Sequence, residues 1–199
     1  MGVQISSVCV FCASSTRISR HYLELAAEVG AELARRGHTL ISGGGSVSCM
    51  GAVAAAARAG GARTVGVIPE PLVAMEVADA ACDELVVTPD MRSRKAVMDD
   101  RADAFLTLPG GIGTLEEFFE IWVSRTLGLH DKPLVVLDPD GLFDPLRVQL
   151  DRLAELGFVR NVAFDAVHWT STVGEAFDAL ARSAVAIRPT PAELLEAEP

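Results

Sequence analysis

Leu106-Thr107-Leu108-Pro109-Gly110-Gly111-Ile112-Gly113-Thr114-Leu115-Glu116-Glu117 reads as the end of a strand, a loop and the start of a helix. An apolar run stops at a proline. Three glycines then free the backbone to turn tightly and present its N–H groups. Thr114 stands where a helix N-cap belongs, with Glu117 three residues on. A phosphate settles readily at such a place, against backbone amides and the positive end of a helix. A carboxylate beside that phosphate is electrostatically awkward, which points to chemistry rather than storage.

Outward from this stretch, strand and helix signals alternate. Apolar runs at Val8–Cys12, Thr39–Ser42, Thr64–Ile68, Leu85–Thr88, Ala104–Leu108, Pro133–Leu137 and Ala166–Trp169 predict strands. Helical periodicity covers Tyr22–Arg36, Met50–Ala59, Met91–Ala102, Thr114–Leu127, Asp144–Leu156 and Val173–Ala184. The strands are continuous apolar runs rather than alternating ones, as in a parallel sheet covered on both faces. The expected fold is therefore α/β, a doubly wound, Rossmann-like, mostly parallel sheet. Residues 1–187 read as one domain and residues 188–199 as a loose, Pro- and Glu-rich tail.

The chain has 199 residues, is half hydrophobic and carries a net charge of −10. That charge argues against a nucleic-acid partner. No apolar run is long enough to span a membrane, and no basic, then apolar leader opens the chain, so a cytoplasmic location is expected. Cys9, Cys12, Cys49 and Cys82 lack the spacing of a disulfide framework or zinc site. Cys9 and Cys12 form a C-x-x-C pair, but Cys9 lies inside an apolar run, which suits a buried small residue better than a redox thiol. His21, His38, His130 and His168 are not spaced to share a metal. His130, at a helix end, reads as a cation complementing the helix dipole. No metal and no cofactor are expected.

In such folds, ligands bind beyond the carboxyl ends of the strands. Three loops there stand out. Cys12-Ala13-Ser14-Ser15-Thr16 offers hydroxyl donors near a phosphate or ribose, or simply caps a helix. Ser42-Gly43-Gly44-Gly45-Ser46 is costly unless the backbone approaches something closely, although a flexible turn has the same composition. The third is Pro109–Thr114. None of these is a P-loop or a G-x-G-x-x-G dinucleotide fingerprint.

Met91-Arg92-Ser93-Arg94-Lys95-Ala96-Val97-Met98 adds charge to this picture. On a helix, Arg94 and Lys95 share the face of Met91 and Met98, which should meet the protein. Buried charge requires a partner, either an internal carboxylate (Glu116 or Glu117) or a bound anion. Glu117 itself has two readings. Thr114-x-x-Glu117 is a capping box, in which the glutamate bonds back to the N-cap amide; alternatively it is a catalytic carboxylate, a role spacing leaves equally open to Glu116. Phe118, Phe119 and Trp122 read as core, with an interface as the second choice.

Pro109-Gly110-Gly111-Ile112-Gly113-Thr114-Leu115-Glu116-Glu117 resembles the P-G-G-x-G-T-x-x-E signature of the LONELY GUY family, and Met91–Lys95 resembles its M-x-x-R-K element. The likeness runs from about Val8 to about Trp169. It implies a phosphoribohydrolase acting on N6-modified adenosine 5′-monophosphates or AMP, without a cofactor, and commonly a homodimer. It implies Arg94 and Glu117 as the catalytic pair. Lys95, Gly110, Gly111, Gly113, Thr114 and Glu116 would line the nucleotide site, with Glu76 near the base; Ser14, Gly44 and Ile112 from the three loops are expected to bind substrate beside them. Ser48 and Ala13 stand where the family usually has glycine, and Ile112 where it often has tyrosine. Two rival readings exist. One is a pyridoxal phosphate decarboxylase, for which the chain offers only Lys95 and Lys132. The other is a carrier that holds a nucleotide or pterin-type cofactor without cleaving it.

Overall fold

The computed structural model describes residues 5–73, 75 and 78–183. The chain runs β1 (Ser7–Phe11), α1 (Arg20–Arg35), β2 (Thr39–Ser42), α2 (Ser48–Ala59), β3 (Thr64–Pro69), α3 (Glu70–Val73), β4 (Glu84–Thr88) and α4 (Met91–Arg101). It continues as β5 (Ala104–Thr107), α5 (Ile112–Thr126), β6 (Leu134–Leu137), α6 (Asp144–Glu155), α7 (Asn161–Asp165), β7 (His168–Thr170) and α8 (Val173–Ser183). Every expected strand and helix is present, with ends moved by one or two residues. The short helices α3 and α7 were not expected from the sequence.

The strands form one sheet in the order β4-β3-β2-β1-β5-β6-β7, with every adjacent pair parallel. The chain travels outward from β1 to β4, then returns to lay β5 against β1. Register pairs Phe11 with Thr107 and Val10 with Leu106 at this junction. Strand order reverses here, so the loops leaving β1 and β5 diverge and open a crevice.

The central strands are buried on both faces, which explains their continuous apolar sequences. On one face, Val8, Val10 and Leu106 pack under Leu25, Val29 and Leu33 of α1, Val53 and Ala57 of α2, and Phe177 and Leu180 of α8. Helices α1 and α2 approach so closely that a Cβ on Gly30 would lie 2.3 Å from the Val53 carbonyl oxygen. On the other face, Cys9, Phe11 and Phe105 pack under Met98 of α4, Phe118, Ile121 and Trp122 of α5, and Leu150 of α6. Phe105 and Phe118 are fully buried, and truncating either to alanine costs about 3–5 kcal/mol. Phe118 and Trp122 are thus core, as the sequence suggests; Phe119 is half-buried beside them.

Candidate active site

Helix α4 begins with Asp90, whose carboxylate accepts from the Ser93 N–H at 2.8 Å. This cap fixes the register that turns Arg94 and Met98 inward. The Arg94 guanidinium is buried. Its Nε donates to the Val67 carbonyl at 3.0 Å and its Nη1 to Glu117 Oε1 at 2.7 Å. A Cβ on Gly43 would sit 1.9 Å from Arg94 Nη2. The first glycine after β2 is therefore a steric requirement of the arginine's seat.

Helix α5 starts two residues earlier than the sequence signals. Its N-cap is Gly111, with no side-chain hydrogen bond, and Ile112 is its first residue. Thr114 is not the N-cap. It lies buried in the first turn, against Gly110, where an added Cβ would come within 2.2 Å of Thr114 Oγ1. Glu117 is then six residues past the N-cap and cannot close a capping box. Its carboxylate reaches Arg94 instead. Glycine hides this start because it caps without an acceptor side chain.

The two glutamates separate cleanly. The Glu117 side chain is 12% exposed and paired with Arg94, whereas Glu116 is 52% exposed and paired with Lys95, which also bridges to Glu120. Both internal carboxylates that the sequence offered are thus used, one for each cation. Burial pushes the Glu117 pKa above its ordinary value of 4.5, and the Arg94 charge acts in the opposite direction without cancelling it. The pair is a buried acid that resists losing its proton, with a cation in contact.

A cavity of about 710 Å³ opens over this pair, between the loops after β1, β2, β3 and β5. Its polar rim holds Ser14 and Ser15 from the first loop and Gly110, Gly111, Gly113 and Thr114 from the last. A Cβ on Gly111 or Gly113 would meet nothing within 4 Å, and neither has a positive φ. Protein packing and backbone conformation therefore leave these glycines unexplained. Both border the cavity, beside the uncapped amides of α5.

The remaining wall is apolar. Ile18, Tyr22, Met50, Ile68, Leu72, Met75, Met91 and Leu142 line it. Met50 and Met91 lie on helices, as expected, but were not among the expected site residues. Ile18, Leu72 and Leu142 sit outside periodic runs, so no sequence signal marked them. Arg94 is the only cation among the described lining residues, and Glu116 and Glu117 the only acids. Nine expected site residues line the cavity: Ser14, Arg94, Gly110, Gly111, Ile112, Gly113, Thr114, Glu116 and Glu117. Two do not. Gly44 has φ +69 and packs against Val67 and Ile68, while Lys95 is held outside by Glu116 and Glu120. Glu76 lies outside the described residues.

The other sequence candidates have structural places. Cys9 and Cys12 are free and buried, and burial raises both thiols well above their ordinary range. That is opposite to what a redox C-x-x-C pair needs. His130 departs from its expected role as a cation. Its Nε2 bonds the Ile121 carbonyl at 3.0 Å, its Nδ1 accepts the Lys132 N–H at 3.2 Å, and burial lowers its pKa. A ring accepting at Nδ1 is neutral, and it braces the α5–β6 turn. Lys132 donates its ammonium to the Asp99 carbonyl and carboxylate. Neither lysine lines the cavity, so no amine is available there to form a Schiff base. Among the described residues no group of histidine, cysteine and acidic side chains could hold a metal ion, and no helix is long and apolar enough to cross a membrane.

Residues 50–180 match a family model described as possible lysine decarboxylase. The chain is 52% identical over 177 residues to the cytokinin riboside 5′-monophosphate phosphoribohydrolase of Mycobacterium tuberculosis, covering 89% of this chain and 94% of that protein. It is 40% identical over 174 residues to a probable enzyme of the same name from Arabidopsis thaliana, covering 87% of each. Among solved structures, the molybdenum cofactor carrier protein of Chlamydomonas reinhardtii superposes with a TM-score of 0.67 at 21% identity, over 90% of this chain and 98% of that one. The molybdenum cofactor binding protein of Rippkaea orientalis gives 0.66 at 20% identity, over 88% and 94%. At that identity the likeness is one of fold.

Proposed function

The chain belongs to the LONELY GUY family of cytokinin riboside 5′-monophosphate phosphoribohydrolases, and on that premise we propose that it hydrolyses the N-glycosidic bond of adenosine 5′-monophosphates, including N6-modified ones. The products are the free base and ribose 5-phosphate. The observation that carries this reading is the buried Arg94–Glu117 pair at the floor of a cavity rimmed by bare backbone amides.

The nucleotide phosphate lies on the N-terminal amides of α5, around Gly111–Thr114, and on the hydroxyls of Ser14 and Ser15. With Arg94 committed to Glu117 and Val67, and a net charge of −10 overall, neutral donors and the helix dipole carry most of that binding. The cavity volume falls within the ordinary range for a small-molecule site, roughly 300–1,000 Å³. Its apolar wall faces the base and any N6 substituent.

Hydrolysis breaks the bond between the sugar's anomeric carbon and the base nitrogen. The bonding electrons leave with the base, which takes up a proton. Positive charge builds on the ribose, and water supplies the oxygen of the new C–O bond. A carboxylate is the group that stabilises such a cation and accepts a proton from the attacking water. Glu117 fills this role in its ionised form, and the contact with Arg94 favours that form, partly offsetting the burial that raises its pKa. Glu116, exposed and already paired with Lys95, serves the rim.

The family model's description fits the site poorly, because neither lysine borders the cavity. A carrier role is suggested only by fold likeness at about one-fifth identity. Purified protein incubated with AMP distinguishes the readings. Adenine and ribose 5-phosphate appear in equal amounts if it is a hydrolase, whereas a carrier returns the nucleotide intact.

The proposal extends to a cytoplasmic homodimer, with the site near its interface. Ile112, Met91, Val123, Leu127 and Leu129 are exposed apolar residues on or next to α4 and α5. Burying such a surface against a second copy would be favourable. Light scattering at micromolar concentration gives twice the 21.0 kDa chain mass if this holds, and the single mass if it does not.

A further inference from the structure

We propose that the Arg58–Asp79 ion pair is a positioning device for Arg94, acting through the backbone of the triple-glycine loop; the inference rests on the reading of Arg94 as part of the hydrolytic site. Asp79 is 7% exposed. Its carboxylate accepts from Arg58 Nη1 at 2.7 Å and Nη2 at 3.4 Å, and from the Ala81 N–H at 3.1 Å. Its own N–H donates to the Gly44 carbonyl at 2.8 Å, and the neighbouring Ala78 makes an antiparallel bridge with Gly45.

Gly43–Gly45 has no side chains with which to hold itself in place. Its position is set from outside, by the Asp79 segment on one side and by β3 on the other. A Cβ on Gly66 would meet the Gly44 Cα at 2.9 Å, so loop and strand are in direct contact. The same strand supplies the Val67 carbonyl that takes Arg94 Nε, and the same loop supplies Gly43, against which Nη2 rests. The guanidinium thus rests against two backbones, β3 and the glycine loop, and Asp79 holds the loop through its N–H bond to the Gly44 carbonyl. Neither Arg58 nor Asp79 lines the cavity, so neither touches a bound nucleotide. A nearly buried carboxylate in a strongly acidic chain needs its cation, and loss of Arg58 would leave Asp79 uncompensated. The loop would then be free to shift, and Arg94 with it.

Asp79→Asn and Arg58→Met are assayed in the full chain by steady-state AMP hydrolysis. Each lowers kcat about 10- to 100-fold, the size expected when a catalytic group is misplaced by about 1 Å, with KM changed by less than about threefold. Arg58→Lys, which keeps the charge, retains more kcat than Arg58→Met. Arg63→Met, which breaks the exposed Arg63–Glu84 bridge, leaves kcat unchanged. In an Arg94→Ala background, adding Asp79→Asn costs less than about twofold more, because the two act on one group. A fully additive loss in that background overturns the proposal, as does an undiminished kcat in Asp79→Asn. Loss of the melting transition in both Asp79→Asn and Arg58→Met also counts against it, since the pair would then be holding the fold. A wild type inert toward AMP refutes the function itself; an active wild type with an unaffected Asp79→Asn refutes only this inference.

Discussion

Gly113→Ala should make the protein more stable and less able to hold its substrate. Gly113 is the second residue of α5, has no positive φ, and would gain a Cβ that meets nothing within 4 Å. Glycine costs a helix about 1 kcal/mol relative to alanine, less near an exposed end, so the substitution stabilises by about 0.5–1 kcal/mol. For a chain of this size that raises Tm by about 1–4 °C. The same methyl group would stand in open space on the cavity rim, beside the α5 amides. A phosphate there needs its oxygens within about 3 Å of the N–H groups, and the methyl occupies that approach. Losing one hydrogen bond to a charged oxygen costs about 1.5–3 kcal/mol, which corresponds to a 10- to 100-fold rise in KM for AMP. Differential scanning calorimetry and initial-rate kinetics on the same preparation read both effects. Unchanged KM with raised Tm would place the phosphate elsewhere; a lowered Tm would show that Gly113 is demanded by packing after all.

Three further outcomes follow from the geometry. Glu117 holds its proton to higher pH than an ordinary glutamate, so the acid limb of kcat/KM lies above pH 4.5, and activity is lost as pH falls through it. The sign for stability is opposite: with its folded pKa raised, the group's contribution is present below the unfolded value and is lost as pH rises through the folded one. Arg94→Met removes the charge that lowers the Glu117 pKa, so whatever activity remains has its acid limb at still higher pH; a limb at or below 4.5 in the wild type contradicts this electrostatic account. Gly43→Ala forces Arg94 from its seat, costing about 1–3 kcal/mol of stability by overpacking and about 100-fold in kcat by displacement of the guanidinium, measured by urea unfolding and AMP turnover; normal turnover would show that the seat is dispensable.

The sheet was legible because its central strands are buried on both faces. Val8–Phe11 and Leu134–Leu137 read as unbroken apolar runs for that reason. A cation on the inward face of α4 and a glutamate past the glycine loop were legible, but spacing did not separate Arg94 from Lys95 or Glu117 from Glu116; only the family resemblance singled out Arg94 and Glu117. Other features carried no local mark. The start of α5 was misread because Thr114 looks like a cap, while the true cap, Gly111, has no side chain to announce itself. Helices α3 and α7 span four and five residues, too short to show a period. The apolar wall is assembled from single residues such as Ile18, Leu72 and Leu142, which are neighbours only once the sheet has formed. Gly44 was grouped with its neighbours by composition, yet its left-handed backbone turns it toward β3 rather than the cavity. Lys95 shares a helix face with Arg94, but adjacent residues on a helix diverge by about 100°, enough to place one inside and one at the rim.

The most direct measurement is adenine release from AMP by the wild type and by Glu117→Gln, followed by chromatography on proteins shown to melt alike. Glutamine keeps the shape and can still accept from Arg94, but it cannot carry the charge that faces the forming ribose cation. Release at least 100-fold slower in the variant is the predicted result; equal rates would mean that bond cleavage does not depend on this carboxylate.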